Sequence, residues 1–235
     1  HRDLVVAAIG GGQIEKGKEA LLRAISVFPN SAEFQFYLGN VLRQEKDYHN
    51  AIPCYQKAVA LQPNSAESHK NLADVLREQG RDREAEASYR KAVWFAPDFV
   101  NAYIDLGLLL YGQGNYDQAL ACYQRAVELK PENATAQIGL GCVFEKLRRA
   151  DEAIASYRRA VATEPDNARA HQFLGSALVA TGATQDGVAC YEQVMRLDPE
   201  NPVKHMLAAL SGHDPERAPS NYVEKLFDDY ENKFD

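Results

Sequence analysis

The sequence predicts an all-α protein built from repeated pairs of short helices, and three observations predict it. Six prolines (Pro29, Pro63, Pro97, Pro131, Pro165 and Pro199) follow one another at a constant spacing of 34 residues, a period that marks a stacked repeat array. With Ala32 taken as position 1 of the unit, small residues recur in register. Position 8 reads Val5, Gly39, Ala73, Gly107, Gly141, Gly175 and Ala209, and position 20 reads Gly17, Ala51, Ala85, Ala119, Ala153 and Gly187. Apolar residues recur at three- and four-residue steps, the spacing of one helix face.

Each element of the unit has its own physical reason. Positions 7, 8 and 11 form the stripe of a first helix, with Leu4, Leu38, Leu72, Leu106, Leu140, Leu174 and Ala208 at position 7. Positions 20, 24, 27 and 28 form the stripe of a second. Glycine or alanine at positions 8 and 20 lets the two backbones approach. Position 24 reads Leu21, Tyr55, Tyr89, Tyr123, Tyr157 and Tyr191, and tyrosine fills the space the small residues leave with a large apolar body and a polar tip. Polar turns near positions 14–17, such as Glu45-Lys46-Asp47 and Gln113-Gly114-Asn115, separate the helices. Proline at position 32 ends the second helix because it cannot continue the hydrogen-bond ladder. Pro53 conflicts with this pattern, since it falls inside a second helix. A helix start nearer Asn50 than Asp47 would place it in the first turn, where it is tolerated, and that later start is expected.

Composition bounds the function. The 235 residues carry 26 basic and 33 acidic side chains, a net charge of -7, which argues against a nucleic-acid partner. No apolar run approaches the ~18 residues of a spanning helix, so no membrane association is expected. Four cysteines are few for a disulfide scaffold of this size, and reducing cytoplasm is the expected compartment. No charged segment followed by an apolar core opens the chain as a secretory signal would. The chain is expected to start within a repeat and to be part of a longer protein.

These columns resemble the tetratricopeptide repeat over residues 1–201. The resemblance implies a right-handed superhelical solenoid of antiparallel helix pairs, whose first helices line a concave groove. It divides the chain into six repeats, the first truncated, at 1–31, 32–65, 66–99, 100–133, 134–167 and 168–201. Residues 202–211 would form a capping helix, 212–221 a linker and 222–235 an amphipathic helix. In that last segment Tyr222, Leu226, Tyr230 and Phe234 step by four, with Val223 and Phe227 beside them.

No catalytic constellation is found, and neither an enzyme activity nor a cofactor or metal is expected of this chain. Gly10-Gly11-Gly12 lacks the Lys-Ser/Thr of a phosphate-binding loop and reads as a turn. Cys54, Cys122 and Cys190 share position 23, two repeats apart, too far for a disulfide. His1, His69, His171 and His205 share position 4 and read as packed, hydrogen-bonded side chains rather than ligands.

What remains is surface. By the resemblance, ligands meet first-helix positions 2, 5, 6, 9, 12 and 13, which offer a peptide-binding groove. Its candidate residues are Phe36, Tyr37, Asn40, Lys70, Asn71, Asp74, Ile104, Leu108, Tyr111, Ile138, Cys142, Gln172 and Phe173. The groove is polar in the second and third units and turns apolar around Ile104, Leu108, Tyr111, Ile138 and Cys142. Asn40 and Asn71 match two places of the carboxylate clamp of chaperone-binding members. Phe36, Asn101 and Asp105 stand where its basic residues should be, so the clamp is broken. Of the asparagine ladder of glycosyltransferase-linked members, only Asn71 is present.

Residues 205–235 resemble a junction, in certain bacterial proteins, between such repeats and a class I S-adenosylmethionine-dependent methyltransferase domain. His205, Leu207 to Leu210, Pro215, Arg217 to Pro219, Tyr222-Val223, Leu226 to Asp228, Tyr230 and Phe234-Asp235 carry the likeness. The expectation is a protein-interaction module, the repeat part of such a methyltransferase, whose groove binds a protein or peptide segment. Its own C-terminal domain and a neighbouring chain's tail are among the candidate partners. The alternatives are a structural support for the enzyme with no separate partner, or the repeat region of a glycosyltransferase.

Overall fold

A computed structural model describes residues 14–210. The glycine run at 10–12, the linker and the tail segment 222–235 lie outside the described residues. Twelve helices and no strand are found among the described residues: α1 (Ile14–Val27), α2 (Ala32–Gln44), α3 (Tyr48–Leu61), α4 (Ala66–Glu78), α5 (Asp82–Phe95), α6 (Val100–Gly112), α7 (Tyr116–Leu129), α8 (Ala134–Lys146), α9 (Ala150–Thr163), α10 (Ala168–Ala180), α11 (Thr184–Leu197) and α12 (Val203–Leu210). None of them is long and apolar enough to cross a membrane. The chain divides into two compact units, the first ending at Leu109 and the second starting at Leu110. In the first, α2 packs on α3, α4 on α5, and α3 on α4. In the second, α8 packs on α9 and α10 on α11, with α7 against α8 and α9 against α10.

The turn within each pair is set by one backbone position. Lys46, Gly80, Gly114, Arg148 and Gly182, each 34 residues from the next, all have positive φ, between 60° and 87°. This left-handed residue satisfies a carbonyl at the end of the first helix and reverses the chain within three residues. Lys46 and Arg148 adopt it without glycine's freedom. The next helix pair starts at a side-chain cap: Ser31, Ser65, Asn133 and Asn167 each accept a hydrogen bond from the amide three residues on.

The core is the column of tyrosines. Tyr55, Tyr89, Tyr157 and Tyr191 are fully buried. A Cβ added at Gly39 would lie 2.7 Å from the Tyr55 ring, and one at Gly141 would lie 2.4 Å from the Tyr157 ring. The missing side chain at position 8 is therefore what admits the ring. Position 4 joins the pairs. The His69 and His171 Nε2–H groups donate to the carbonyls of Pro63 and Pro165 at 2.8 Å, and Gln137 reaches Pro131 at 3.4 Å. These side chains hold the preceding turn against the next helix. At the far end of the second unit, α12 lays Val203 and Met206 on Tyr191 and Val194, covering an otherwise exposed apolar face.

The expected late start of α3 does not form. The helix begins at Tyr48, and the Asp47 carboxylate accepts from the Asn50 amide at 3.3 Å and the Asn50 side chain at 2.8 Å. That cap fixes the start, so Pro53 lies beyond the first turn. It deprives the His49 carbonyl of its ladder donor. Pro53 is on the exposed face of α3, where water can serve that carbonyl.

Candidate functional site

In the first unit the first helices α2, α4 and α6, with Tyr48 at the start of α3, form an open cleft of about 300 Å³, lined by Arg43, Tyr48, Lys70, Asp74, Arg77, Glu78 and Asp105. Asp74 is its hub. One carboxylate oxygen accepts from the Tyr89 hydroxyl at 2.8 Å, and the other accepts from Arg43 and Lys70, both at 2.9 Å. Lys70 also pairs with Asp105 at 3.0 Å, so one ammonium bridges two carboxylates. Burial tends to lower the Lys70 pKa, but Asp105 and Asp74 more than offset it and the net shift is upward. Burial raises the Asp105 carboxyl, and Lys70 pulls it only part of the way back. Above this cluster, Asn40 accepts from the Tyr55 hydroxyl at 2.7 Å and from Asn71 at 2.9 Å.

One rule connects core and cleft. The buried position-24 hydroxyl reaches the position-9 side chain fifteen residues earlier: Tyr55 to Asn40, Tyr89 to Asp74, Tyr157 to Cys142 (3.4 Å) and Tyr191 to Ser176 (3.0 Å). Tyr157 also donates to Glu145 at 3.0 Å. The sequence reading gave these tyrosines a polar tip but no partner. A polar position 9 recurring beside a tyrosine at position 24 was the available signal. Arg43 and Arg77, which the register of the repeat offers to the groove at position 12, both line the cleft.

The other candidates fall into three kinds. Asn40, Lys70, Asn71 and Asp74 come together as described. Phe36 packs edge-on against Tyr37 (5.7 Å) and Tyr55 (6.0 Å). In the second unit Phe173 stacks on Tyr157 at 5.5 Å, and the Arg169 guanidinium lies over the Phe173 ring, 5.5 Å from its centre. Gln172 is half-buried beside it on α10, and Tyr111 meets Tyr116 edge-on at 5.6 Å. Ile104 and Ile138 are buried, whereas Leu108 is 44% exposed. The apolar stretch of the sequence therefore supplies one outward aliphatic side chain, with the two isoleucines packed beneath the surface. The four cysteines are free thiols. Among the described residues no cluster of His, Cys, Asp and Glu is placed to hold a metal ion.

Family models described as tetratricopeptide repeat match residues 30–93, 104–163 and 138–202, and a further TPR-repeat model matches 73–114. The chain belongs to the tetratricopeptide repeat family. None of the curated proteins matches it. Among solved structures it is similar to MamA, at 26% identity and a TM-score of 0.65, over 69% of this chain and 95% of that one. It is similar to Pseudomonas aeruginosa pilF at 22% identity and a TM-score of 0.76, over 88% and 94% of the two chains. It also resembles YrrB, described as a TPR protein with an unusual peptide-binding site, at 22% identity and a TM-score of 0.67, over 83% and 98%. The last two likenesses are of fold.

Proposed function

We propose that this chain is a protein-interaction module that holds an extended or helical peptide segment along its first-helix faces. The observation that carries the reading is the cleft of the first unit. Arg43 and Arg77 border it, while the charges of Lys70, Asp74 and Asp105 are tied to one another. An apolar anchor, Leu108, lies on α6 of the same unit. A polar wall with one exposed aliphatic side chain suits a peptide that offers hydrogen-bonding backbone and an apolar residue. The peptide-binding site named for YrrB supports the same use of the fold. The finer reading is that the module serves an S-adenosylmethionine-dependent methyltransferase by positioning its protein partner. That reading rests on the resemblance of residues 205–235.

The test uses peptides selected on the full chain from a random library. Leu108→Glu and Arg77→Ala should each weaken them at least about tenfold, or 1.4 kcal/mol, with the helical spectrum unchanged. Peptides indifferent to both changes would refute the groove reading. Calorimetry with S-adenosylmethionine on the longest natural form of the protein tests the methyltransferase link, and no heat of binding would remove it.

A further inference from the structure

A second surface lies apart from the cleft and shares no residue with it. Gln56, Val59 and Ala60 of α3, Pro63, His69 of α4, and Lys91, Trp94 and Phe95 of α5 line a slot of about 370 Å³. The wall is aromatic and wet: Trp94 is 79% exposed and Phe95 42%. The repeat does not demand this tryptophan. Its column, position 29, otherwise reads Ser26, Ala60, Glu128, Ala162 and Arg196. The floor is preorganised, because His69 donates to the Pro63 carbonyl at 2.8 Å and stacks on Phe95 at 5.7 Å. Lys91 is the one charged residue of the lining, and it has no ion-pair partner among the described residues. A solvated tryptophan beside a rigid apolar slot with one unpaired ammonium is the pattern of an interface anchor.

The same sequence holds a complementary segment. Residues 220–235 place Tyr222, Leu226, Tyr230 and Phe234 at four-residue steps, and carry five acids against two lysines. An aromatic side chain of that stripe would supply an apolar occupant for the slot, and one of the segment's five carboxylates a countercharge for Lys91. We propose that the slot receives the 220–235 segment of a second copy of this chain. A second copy reaches the slot by diffusion, with no demand on the path of the intervening chain. This contact is independent of the peptide reading of the cleft and survives its failure.

Trp94 is the only tryptophan, so its fluorescence reports the slot directly in the full chain. Raising the protein from about 0.1 to about 100 μM should shift emission to the blue and cut acrylamide quenching by more than half, as mass action fills the slot. Sedimentation should show dimers or larger assemblies over the same range. At the low concentration, a synthetic 220–235 peptide should restore the shielding. Lys91→Glu, and separately Tyr230→Ser combined with Phe234→Ser, should abolish the concentration dependence with far-UV circular dichroism unchanged. The tail changes lie outside the repeats, so a misfolded core cannot mimic that result. Quenching that is equal at both concentrations overturns the proposal. So does shielding independent of concentration, shielding that survives the tail substitutions, or a peptide without effect.

Discussion

Two glycines in helices should respond in opposite ways to the same substitution, and the contrast tests the core. At Gly141 on α8, an added Cβ would lie 2.4 Å from Tyr157 Cε1 and 2.7 Å from Cδ1 and Cζ. The ring must retreat about 1 Å to reach ordinary contact, and overpacking of that kind costs about 1–3 kcal/mol. It has nowhere to go: it is fully buried, stacked on Phe173, and tied through its hydroxyl to Glu145. Alanine's better helix propensity returns about 1 kcal/mol. Gly141→Ala should therefore destabilise the second unit by up to about 2 kcal/mol. At Gly112 on α6 nothing lies within 4 Å of the added Cβ, so Gly112→Ala should be neutral or stabilise by up to about 0.5 kcal/mol. Urea denaturation followed by circular dichroism measures both. The mechanism is separated by repeating Gly141→Ala in a Tyr157→Leu background. With the ring gone the penalty should vanish, giving a coupling above about 1 kcal/mol. An equal effect of Gly141→Ala in both backgrounds would refute the ring-against-backbone account.

Two other predictions concern the turns and the tyrosine hydroxyls. Lys46 and Arg148 hold positive φ without glycine, so Lys46→Gly or Arg148→Gly should stabilise by about 0.5–1 kcal/mol, and Gly80→Ala should destabilise by about 1 kcal/mol, in the same urea assay. Burial pushes the Tyr191 hydroxyl up to about 12 and raises those of Tyr55, Tyr89 and Tyr157 as well. Because these folded values lie above the unfolded value of 10.0, the stability they represent is complete below pH 10 and is lost as pH climbs through the folded values. Phenolate absorbance at these sites should therefore rise together with loss of helical ellipticity, and phenolate appearing in an intact fold at pH 10–11 would count against it.

The repeat was legible because its constraints are local or strictly periodic. Proline at 32, small residues at 8 and tyrosine at 24 are visible as columns, and the contact of Gly39 and Gly141 with the following tyrosines is the one those columns imply. The cap column at Ser31, Ser65, Asn133 and Asn167 was equally visible but is broken by Phe99. The start of α3 was misread because the Asp47 cap outweighs the discomfort of Pro53, and a rule for proline alone does not weigh the two. The site was only partly legible. Ile104 and Leu108 lie four residues apart on one helix face and look equivalent in one dimension, yet one is buried and the other exposed. That difference depends on what the neighbouring helices place over each position.

The tie between position 24 and position 9 also bears on recognition. Asn40, Asp74, Cys142 and Ser176 each hold a buried tyrosine hydroxyl, so changing any of them to suit a ligand also disturbs the core. Position 9 is free of that constraint where its side chain cannot accept a hydrogen bond, and in the fourth repeat it is Leu108, which is the exposed one. The same reasoning applies to position 12, where Arg43 gives one arm to Asp74 and Arg77 makes, among the described residues, a weak pair with Glu78 at 3.7 Å. A guanidinium has five donors in a fixed fork, so both side chains keep hydrogen-bonding capacity for a ligand after their internal contacts are made. The tied positions hold the helices together, so on the proposed reading of the cleft selectivity for a partner would fall to Arg43, Arg77 and Leu108.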